Sequence, residues 1–376
     1  MKGGNIVKHE IFNLEFRTVL KNNQPFKSFR SHKYWNKNLR TRLLTGLTVL
    51  LLMFICSSCA IDNGKNLSNP PPSDDPGQFG SGRFLANISC TMPVMCVVGD
   101  DAGGIIIYKN GQWSSPVSVK NLNDDIIFSI SCHTPALCVG VGINMSGKQP
   151  GQGHAFEILN GRLTPFALIT SNYPLQSVSC ITSSYCEAIG DGKVFAYDHG
   201  SWKTLRFIRS FVTGDPFDFI SCPSQNFCGA LSQLQYAAME NNGNWAVGTI
   251  PTNSHHFIES ISCPVPGYCM ALRGNGMIYI FSNGTWKQTG FALKTTTAIS
   301  LSCWSIGNCE AITISGYGVA YRSGVWQKPI LVAKKNGLYK ISCVSKGTCM
   351  ATDSMGYVFQ LSRGRWSKPQ LIEKFS

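Results

Sequence analysis

A pair of cysteines spaced C-x5-C occurs seven times in this chain, and the repeat constrains the fold more than any other feature. Each first cysteine follows a serine, and successive first cysteines lie 42, 48, 42, 41, 40 and 40 residues apart. In six units a glycine stands 14 or 15 residues after the second cysteine, and a tryptophan follows two residues later. The second unit keeps the glycine as Gly161 but has Leu163 in place of tryptophan. Self-similarity at a fixed period indicates a repeat architecture.

Each unit predicts four short strands, because short aromatic and β-branched runs alternate with Gly, Asn and Ser clusters. The third strands, such as "GIIIY", "KVFAY" and "MIYIF", are nearly continuous apolar runs. Strands that are buried on both faces have this composition. Asn-Gly steps such as Asn110-Gly111 and Asn283-Gly284 precede the tryptophan. These steps favour tight hairpins that need positive φ.

Four strands in about 40 residues, repeated radially, predict an all-β fold, a seven-bladed β-propeller with four antiparallel strands per blade. A β-solenoid is the alternative architecture. The propeller is expected to span residues 83–376, with blades starting near residues 83, 126, 174, 217, 257, 298 and 338.

The pattern S-C-x5-C … G … Y-x-N-G-x-W resembles the repeats of bacterial seven-bladed propellers, including sialidase-type Asp-box propellers and photosystem assembly-factor propellers. The resemblance covers Arg83 to Ile372. The chain departs from the Asp-box pattern, which places Ser and Asp before G-x-T-W, since "SNGTW" at Ser282–Trp286 keeps only part of it. The resemblance therefore implies the fold and not an activity.

Fourteen of the 16 cysteines form the seven pairs, and we expect one disulfide in each blade. A short loop between adjacent antiparallel strands brings two Cα atoms within disulfide reach. Metal binding is the main alternative, although structural zinc sites favour C-x2-4-C spacing and four converging ligands. Free buried thiols are a further alternative. The expected disulfides are Cys90–Cys96, Cys132–Cys138, Cys180–Cys186, Cys222–Cys228, Cys263–Cys269, Cys303–Cys309 and Cys343–Cys349. So many disulfides indicate an oxidising compartment.

Residues 1–59 are expected to be a basic n-region followed by a signal or lipoprotein segment, since they have the order of a secretory signal. Residues 1–42 carry ten Lys and Arg and two Glu, and an uncharged apolar stretch follows at 43–60. The motif S-S-C that ends at Cys59 resembles a bacterial lipobox, which implies lipid attachment at this cysteine. An uncleaved signal anchor and conventional cleavage with secretion are the alternatives.

Residues 60–82, rich in Pro, Gly, Ser and Asn, predict a flexible linker. We therefore expect an exported, membrane-anchored lipoprotein on the outer-membrane or periplasmic side.

The net charge of +13 does not indicate a nucleic-acid partner. When the ten basic and two acidic residues of segment 1–42 are removed, 23 Lys and Arg face 18 Asp and Glu. The remainder is only mildly basic and shows no pattern of interleaved aromatic and basic residues.

The sequence contains no H-E-x-x-H, phosphate-loop or G-x-S-x-G motif. Sialidase chemistry needs arginines that converge on a carboxylate beside a tyrosine nucleophile. Here Arg162, Arg322, Arg363 and Arg365 lie at or beside the hairpins of different blades, so they do not indicate a shared centre. The histidines beyond the linker show no metal-ligand spacing; they are His133, His154, His199, His255 and His256. We therefore expect no catalytic residues, no metal, no cofactor and no enzyme activity.

The repeated tryptophans predict packing between blades, with stacking on sugars as the alternative. Trp304 differs because it lies inside a cysteine loop, so we expect it to be exposed and to contact a partner. Glu187 and Glu310 follow second cysteines at equivalent positions, which suggests a structural role shared between repeats.

The expected topology separates two faces of the ring. The cysteine hairpins and the hairpins before each tryptophan share one face, the cysteine face. The turns between second and third strands and the links between blades lie on the other, the connector face. The variable loops are on the connector face, at 143–153, 205–216 and 251–256. Because variable loops carry function on a repeated scaffold, Lys148, Gln149 and Gln152 are the candidate partner-binding residues.

The sequence thus predicts a non-enzymatic binding or scaffold module for a protein partner at the cell envelope. The alternative is a carbohydrate-binding, lectin-like or glycoside-processing propeller. A third possibility, an assembly factor for a membrane complex, is suggested by the photosystem-type resemblance.

Overall fold

A computed structural model describes residues 84–92, 94–118, 126–144, 151–164, 167–170, 172–208, 216–251, 256–291 and 298–374. These residues form seven antiparallel sheets, one for each sequence repeat. Within these ranges, no helix has the length and apolar character needed to span a membrane.

Each sheet is a blade whose strands follow one another in chain order from the centre outwards. The innermost strands are β1 (Leu85–Thr91), β6 (Ile126–Thr134), β11 (Ser177–Cys180), β15 (Phe217–Ser224), β19 (Ile258–Val265), β23 (Ala298–Ser305) and β28 (Leu338–Ser345). The second strands are β2 (Met95–Asp100), β7 (Leu137–Ile143), β12 (Tyr185–Gly190), β16 (Phe227–Ser232), β20 (Tyr268–Arg273), β24 (Asn308–Thr313) and β29 (Thr348–Asp353). The third strands are β3 (Gly104–Lys109), β8 (Gly153–Leu159), β13 (Lys193–Asp198), β17 (Tyr236–Asn241), β21 (Met277–Ser282), β25 (Tyr317–Arg322) and β30 (Tyr357–Ser362).

The outermost strand differs between blades. It is continuous in blades 3, 4 and 5, as β14 (Ser201–Phe207), β18 (Asn244–Thr249) and β22 (Thr285–Phe291). In blades 1, 2, 6 and 7 it is divided in two, as β4 (Gln112–Trp113) and β5 (Val117–Ser118), β9 (Arg162–Leu163) and β10 (Ala167–Thr170), β26 (Val325–Trp326) and β27 (Ile330–Leu331), and β31 (Arg365–Trp366) and β32 (Gln370–Leu371). The four divided blades carry a proline between the two pieces, namely Pro116, Pro165, Pro329 and Pro369. Proline has no N–H to donate to a ladder, which accounts for the interruption.

The innermost strands contact one another around a closed ring, and β1 contacts β28. The described residues therefore form the predicted seven-bladed propeller, with β1 and β28 side by side where the ring closes. Apolar residues from both sides fill this seam, because Met350 and Val358 of blade 7 belong to the same buried cluster as Leu85 and Val98 of blade 1.

The seven predicted disulfides are present, one in each blade. Each joins the innermost strand to the second strand, and the Cα atoms are 3.9 to 4.1 Å apart. The predicted hairpins before the tryptophans also form. Asn110 and Gly111 have φ values of 53° and 83°, as a two-residue hairpin turn requires.

The repeated serine before each first cysteine has a structural explanation. Its hydroxyl oxygen accepts a hydrogen bond from the backbone N–H of the first cysteine in the next blade, at 2.9 or 3.0 Å. The donor and acceptor pairs are Cys132 and Ser89, Cys180 and Ser131, Cys222 and Ser179, Cys263 and Ser221, Cys303 and Ser262, Cys343 and Ser302, and Cys90 and Ser342. This serine clasp therefore occurs at all seven seams between blades, including the one that closes the ring.

Candidate functional site: the connector end of the central ring

The structure describes only some of the functional residues that the sequence singled out. Cys59, Lys148 and Gln149 lie outside the described residues. Gln152 is half-buried, and its carbonyl oxygen accepts a hydrogen bond from the backbone N–H of Asn144 at 2.9 Å. This bond joins the two ends of the blade 2 insertion just beyond β7 and β8.

Trp304 is half-buried rather than exposed. The guanidinium carbon of Arg322 lies 4.6 Å from the centroid of the Trp304 ring. The same guanidinium forms an ion pair with Glu310, with 2.7 Å between Nη2 and Oε2. Trp304 is thus part of a packed group on the cysteine face, away from the connector face.

The six repeated tryptophans pack in the core as expected. They are partly buried against the apolar clusters of their own seams. In four blades the ring also lies against an aromatic residue of the third strand, with ring centroids 4.8 to 5.5 Å apart. These pairs are Tyr108 and Trp113, Tyr197 and Trp202, Phe281 and Trp286, and Tyr321 and Trp326.

A feature that the sequence did not reveal is a bulge near the start of the innermost strand. In six blades the register between the first and second strands shifts at the same place, three residues before the clasp serine. In blade 3 the equivalent residue, Gln176, instead donates its backbone N–H to Ile189. A bulge leaves one residue out of the ladder and redirects its side chain. Because the innermost strands surround the axis and start from the connector face, these positions form a ring at the connector end.

The residues at this position, the bulge ring, differ from one blade to the next. They are Ala86, Phe128, Gln176, Asp218, Glu259, Ile299 and Tyr339, and all of them are half-buried. The clasp serine three residues later is the same in every blade. The ring therefore places a different side chain at the same backbone position in each blade. The repeat pattern does not constrain which residue stands there.

Ionisable groups in and beside the bulge ring influence one another between blades. Glu259 lies in blade 5, while Tyr339 and its neighbour Lys340 lie in blade 7. Burial raises the pKa of Glu259 to about 7, and Lys340 partly offsets this effect. Burial lowers the pKa of Lys340, and Glu259 opposes that shift. Burial also raises the pKa of Tyr339, with further contributions from the charges of Glu259 and Asp101. The charges of blades 5 and 7 therefore influence each other at the connector end.

The turns that frame the connector face are held by their own side chains. The Oδ1 atom of Asp100 accepts hydrogen bonds from the N–H groups of Ala102 and Gly104, at 2.9 and 2.5 Å. In blade 7 the Oδ1 atom of Asp353 accepts from Met355 and Tyr357, at 2.9 and 2.8 Å. These turns are therefore rigid supports for the ring, as a preorganised binding surface requires.

In blade 5 an arginine, Arg273, stands at the end of the second strand, where Asp100 and Asp353 cap the turns of blades 1 and 7. Arg273 is buried, and its guanidinium donates hydrogen bonds to the carbonyl oxygens of His256 and Leu234. The first acceptor belongs to the link between blades 4 and 5, and the second to a turn of blade 4. Arg273 thus fixes two neighbouring segments of the connector face beside Glu259.

The sequence singled out loops of the connector face but did not single out the bulge ring. The sequence signal that could have identified the ring is variability, because the residue three positions before the clasp serine is different in every repeat. That the position is a bulge depends on pairing between strands, which the sequence pattern does not encode. Among the described residues, the one cluster of three potential metal-ligand side chains lies elsewhere and consists of Glu187, Cys222 and Cys228.

Comparisons with known proteins support the fold. The sequence matches no protein-family model and no curated protein. A structure of YCF48 bound to a D1 peptide is 14% identical with a TM-score of 0.57, and the match covers 74% of this chain and 93% of that chain. YCF48 from Cyanidioschyzon merolae is 12% identical with a TM-score of 0.59, covering 75% and 96%. A catalytically inactive virginiamycin B lyase from Staphylococcus aureus with quinupristin is 10% identical with a TM-score of 0.62, covering 76% and 96%. At these identities the likeness concerns the fold alone, and the chain is a seven-bladed β-propeller that carries one disulfide in every blade.

Proposed function

We propose that this protein is an exported envelope protein, anchored through lipid at Cys59, that binds a protein partner on its connector face and catalyses no reaction. The observation that carries the proposal is the bulge ring. A rigid repeated scaffold presents unlike side chains there, and the clasp serines and disulfides that hold the scaffold repeat without change. Function in repeat scaffolds resides in such variable positions.

The chemistry of the bulge ring suits recognition of a polypeptide. Phe128 and Tyr339, each half-buried, supply aromatic surface, whereas Glu259 and the neighbouring Lys340 supply opposite charges. Protein interfaces combine aromatic anchors with charged groups that fix orientation. The solved YCF48 structure with a D1 peptide supports the idea that a propeller of this fold can bind a polypeptide.

Export is supported by the seven disulfides, since disulfides persist in oxidising compartments. The order of basic segment, apolar stretch and lipobox-like motif supports attachment at Cys59. Metabolic labelling with an alkyne-tagged fatty acid tests the anchor. We expect label in the wild type and none in Cys59→Ser. Label that survives this substitution would place the anchor elsewhere.

Site-specific photo-crosslinking tests the binding face. A photoreactive residue is introduced at Phe128 or Tyr339 in the bulge ring, and at Ile306 as the control. Ile306 is 58% exposed on the cysteine face. We expect one protein partner to be crosslinked from the two ring positions and not from the control. Crosslinking from Ile306 alone would show that the partner binds the cysteine face.

The crosslinked partner is then purified, and its affinity is measured for three variants. Tyr339→Ala and Glu259→Gln should each weaken binding about tenfold, which corresponds to about 1.4 kcal/mol. Val325→Ala is the matched control, because Val325 is 60% exposed on the cysteine face. Unchanged affinity in both ring variants would contradict the proposal. Binding to glycans alone would favour the carbohydrate alternative.

A further inference from the structure

In blades 3, 4 and 7 the residue that follows the second cysteine lies against the disulfide of the next blade. Met350 of blade 7 places Sδ 3.4 Å from Sγ of Cys96 in blade 1. In blade 4 this residue is Gly229, where an added Cβ would lie 3.1 Å from Sγ of Cys263. The position is thus a buried slot behind a disulfide. Five blades fill the slot with an apolar residue or glycine, namely Val97, Val139, Gly229, Met270 and Met350.

The other two blades place a glutamate in the slot, and the two glutamates have different surroundings. Glu310 is paired with Arg322, with 2.7 Å between the charged atoms. Glu187 is 2% exposed and accepts a hydrogen bond from the hydroxyl of Tyr185 at 3.0 Å. Its second oxygen, Oε2, lies 3.4 Å from Sγ of Cys228. The two glutamates therefore do not share the structural role that the repeat suggested.

A second carboxylate faces the same seam between blades 3 and 4. Glu240 is directly opposite Cys228 in the strand register and is 6% exposed. Its Oε2 atom is buried and has no hydrogen-bond partner among the described residues. The basic side chain whose charge reaches Glu240 is Arg206, which is exposed on β14.

These acids occupy positions that other blades use for packing. Opposite the second cysteine, four blades place an aromatic residue, namely Tyr108, Tyr197, Phe281 and Tyr321. Buried carboxylates are ordinarily paired with a cation or bound to a metal. Here Glu187 is held by the Tyr185 hydroxyl and Glu240 by the backbone N–H of Gly243, but neither carboxylate forms an ion pair among the described residues. Two buried carboxylates without an ion-pair partner beside one disulfide distinguish this seam from the others and point to a cationic ligand.

We propose that reduction of the Cys222–Cys228 disulfide turns this seam into a binding site for a thiophilic divalent cation of the zinc class. Sγ of Cys222, Sγ of Cys228 and a carboxylate oxygen of Glu187 are the three ligands, and these atoms lie within 4.8 Å of one another. Zinc binds sulfur at about 2.3 Å and carboxylate oxygen at about 2.0–2.2 Å in tetrahedral geometry. Opening the S–S bond frees the two sulfur atoms to separate to the spacing that tetrahedral coordination requires. Water fills the fourth position.

The chemistry requires a dithiol reductant. The reductant supplies two electrons and two protons and itself becomes a disulfide, while the S–S bond breaks into two thiols. Metal binding then releases the two thiol protons, because the thiolate is the ligand. With the disulfide intact no thiolate exists, so the site forms only in the reduced state. Reduction in the other blades yields two thiols without a free carboxylate behind them, since their slots hold apolar residues, glycine or the paired Glu310.

The test uses the purified, oxidised full-length protein and Co2+ as the probe. A dithiol is titrated in the presence of Co2+, and the thiolate-to-cobalt charge-transfer absorbance is recorded together with circular dichroism. Alkylation and peptide mass spectrometry then identify the cysteines that the metal protects. We expect one equivalent of Co2+, protection of Cys222 and Cys228, displacement by Zn2+ and no binding before reduction.

Two variants separate this site from unspecific thiol binding. Glu187→Gln should weaken Co2+ binding by at least about 10-fold, the loss already seen for groups that only orient ligands. Glu310→Gln, at the equivalent position of blade 6, is the matched control and should bind as the wild type does. Equal binding in the two variants, protection of cysteines in other blades, or unfolding before this disulfide opens would each overturn the proposal.

Discussion

Ser342 Oγ accepts a 3.0 Å hydrogen bond from the backbone N–H of Cys90, and these residues are 252 positions apart in the chain. The bond joins blade 7 to blade 1 at the one seam that has no covalent link. The six other seams contain the same bond between consecutive repeats. Ring closure therefore uses the interaction that joins every other pair of blades.

Ser342→Ala should reduce the free energy of unfolding by about 1–3 kcal/mol, because it leaves the Cys90 N–H without its acceptor. Guanidinium denaturation of the oxidised protein measures the loss. Ser302→Ala, at an internal seam, is the comparison and should cost a similar amount. Ser115→Ala, on an exposed loop, should cost nothing measurable. Wild-type stability in Ser342→Ala would show that the closing clasp contributes nothing.

The double variant Cys303→Ala/Cys309→Ala should keep the fold and lower the free energy of unfolding by about 2 kcal/mol, as expected for so short a loop. Denaturation under non-reducing conditions gives this value. Alkylation of the unfolded, unreduced wild type provides a separate check, because all fourteen propeller cysteines are in disulfides and should not react. Reaction at any of them would contradict the pairing.

Glu259 should make the protein less stable as pH rises. Its pKa is raised to about 7 in the folded state, so the folded protein holds this proton more tightly than the unfolded chain does. The stabilisation that this proton provides is therefore largest at low pH. It is lost as pH rises from the pKa of Glu259 in the unfolded chain through about 7. We expect a loss of about 1–2 kcal/mol, less than the full shift implies, because the side chain is only half-buried.

Denaturation midpoints at pH 5 and pH 8 test this dependence in two variants. Glu259→Gln should flatten it, because no carboxyl remains to ionise. Lys340→Met should steepen it, because the ammonium group that favours the ionised carboxylate is gone. A wild-type difference that persists in Glu259→Gln would assign the effect to another group.

Arg322→Met should destabilise the protein by about 3 kcal/mol, because it leaves the buried carboxylate of Glu310 without its partner. The substitution also removes the guanidinium that lies over the ring of Trp304. Adding Glu310→Met should recover most of the loss, since blades 5 and 7 carry Met270 and Met350 at this position. A double-mutant cycle in chemical denaturation measures the coupling. Additive losses would show that the ion pair is energetically unimportant.

The sequence predicted the fold because the cysteine pairs, hairpin glycines and tryptophans are local signals that recur. It also contained the cause of the divided outer strands, since proline stands between the pieces in each divided blade. The bulge ring was not predictable in this way. Ala86, Asp218 and Tyr339 have no common residue type, and the bulge arises from pairing with the second strand.

The environments of single residues were also beyond the sequence pattern. Trp304 was expected to be exposed, yet Arg322 lies against its ring from a strand 18 residues later. Glu187 and Glu310 occupy the same repeat position, but only Glu310 has an arginine beside it. Such differences depend on what the neighbouring strand and the next blade supply, which a period of about 40 residues does not specify.

The serine clasp also bears on where the chain can begin. Ile372 packs into the cluster that contains Leu85, so the two ends of the propeller meet at the closing seam. Every seam uses the same hydrogen bond, and among the described strands each blade is built from consecutive segments of the chain. A circular permutant that joins residues 374 and 84 through a short linker and opens at the link before blade 6 would therefore rebuild the same ring. The arrangement of the blades around the axis therefore does not depend on which blade comes first in the chain.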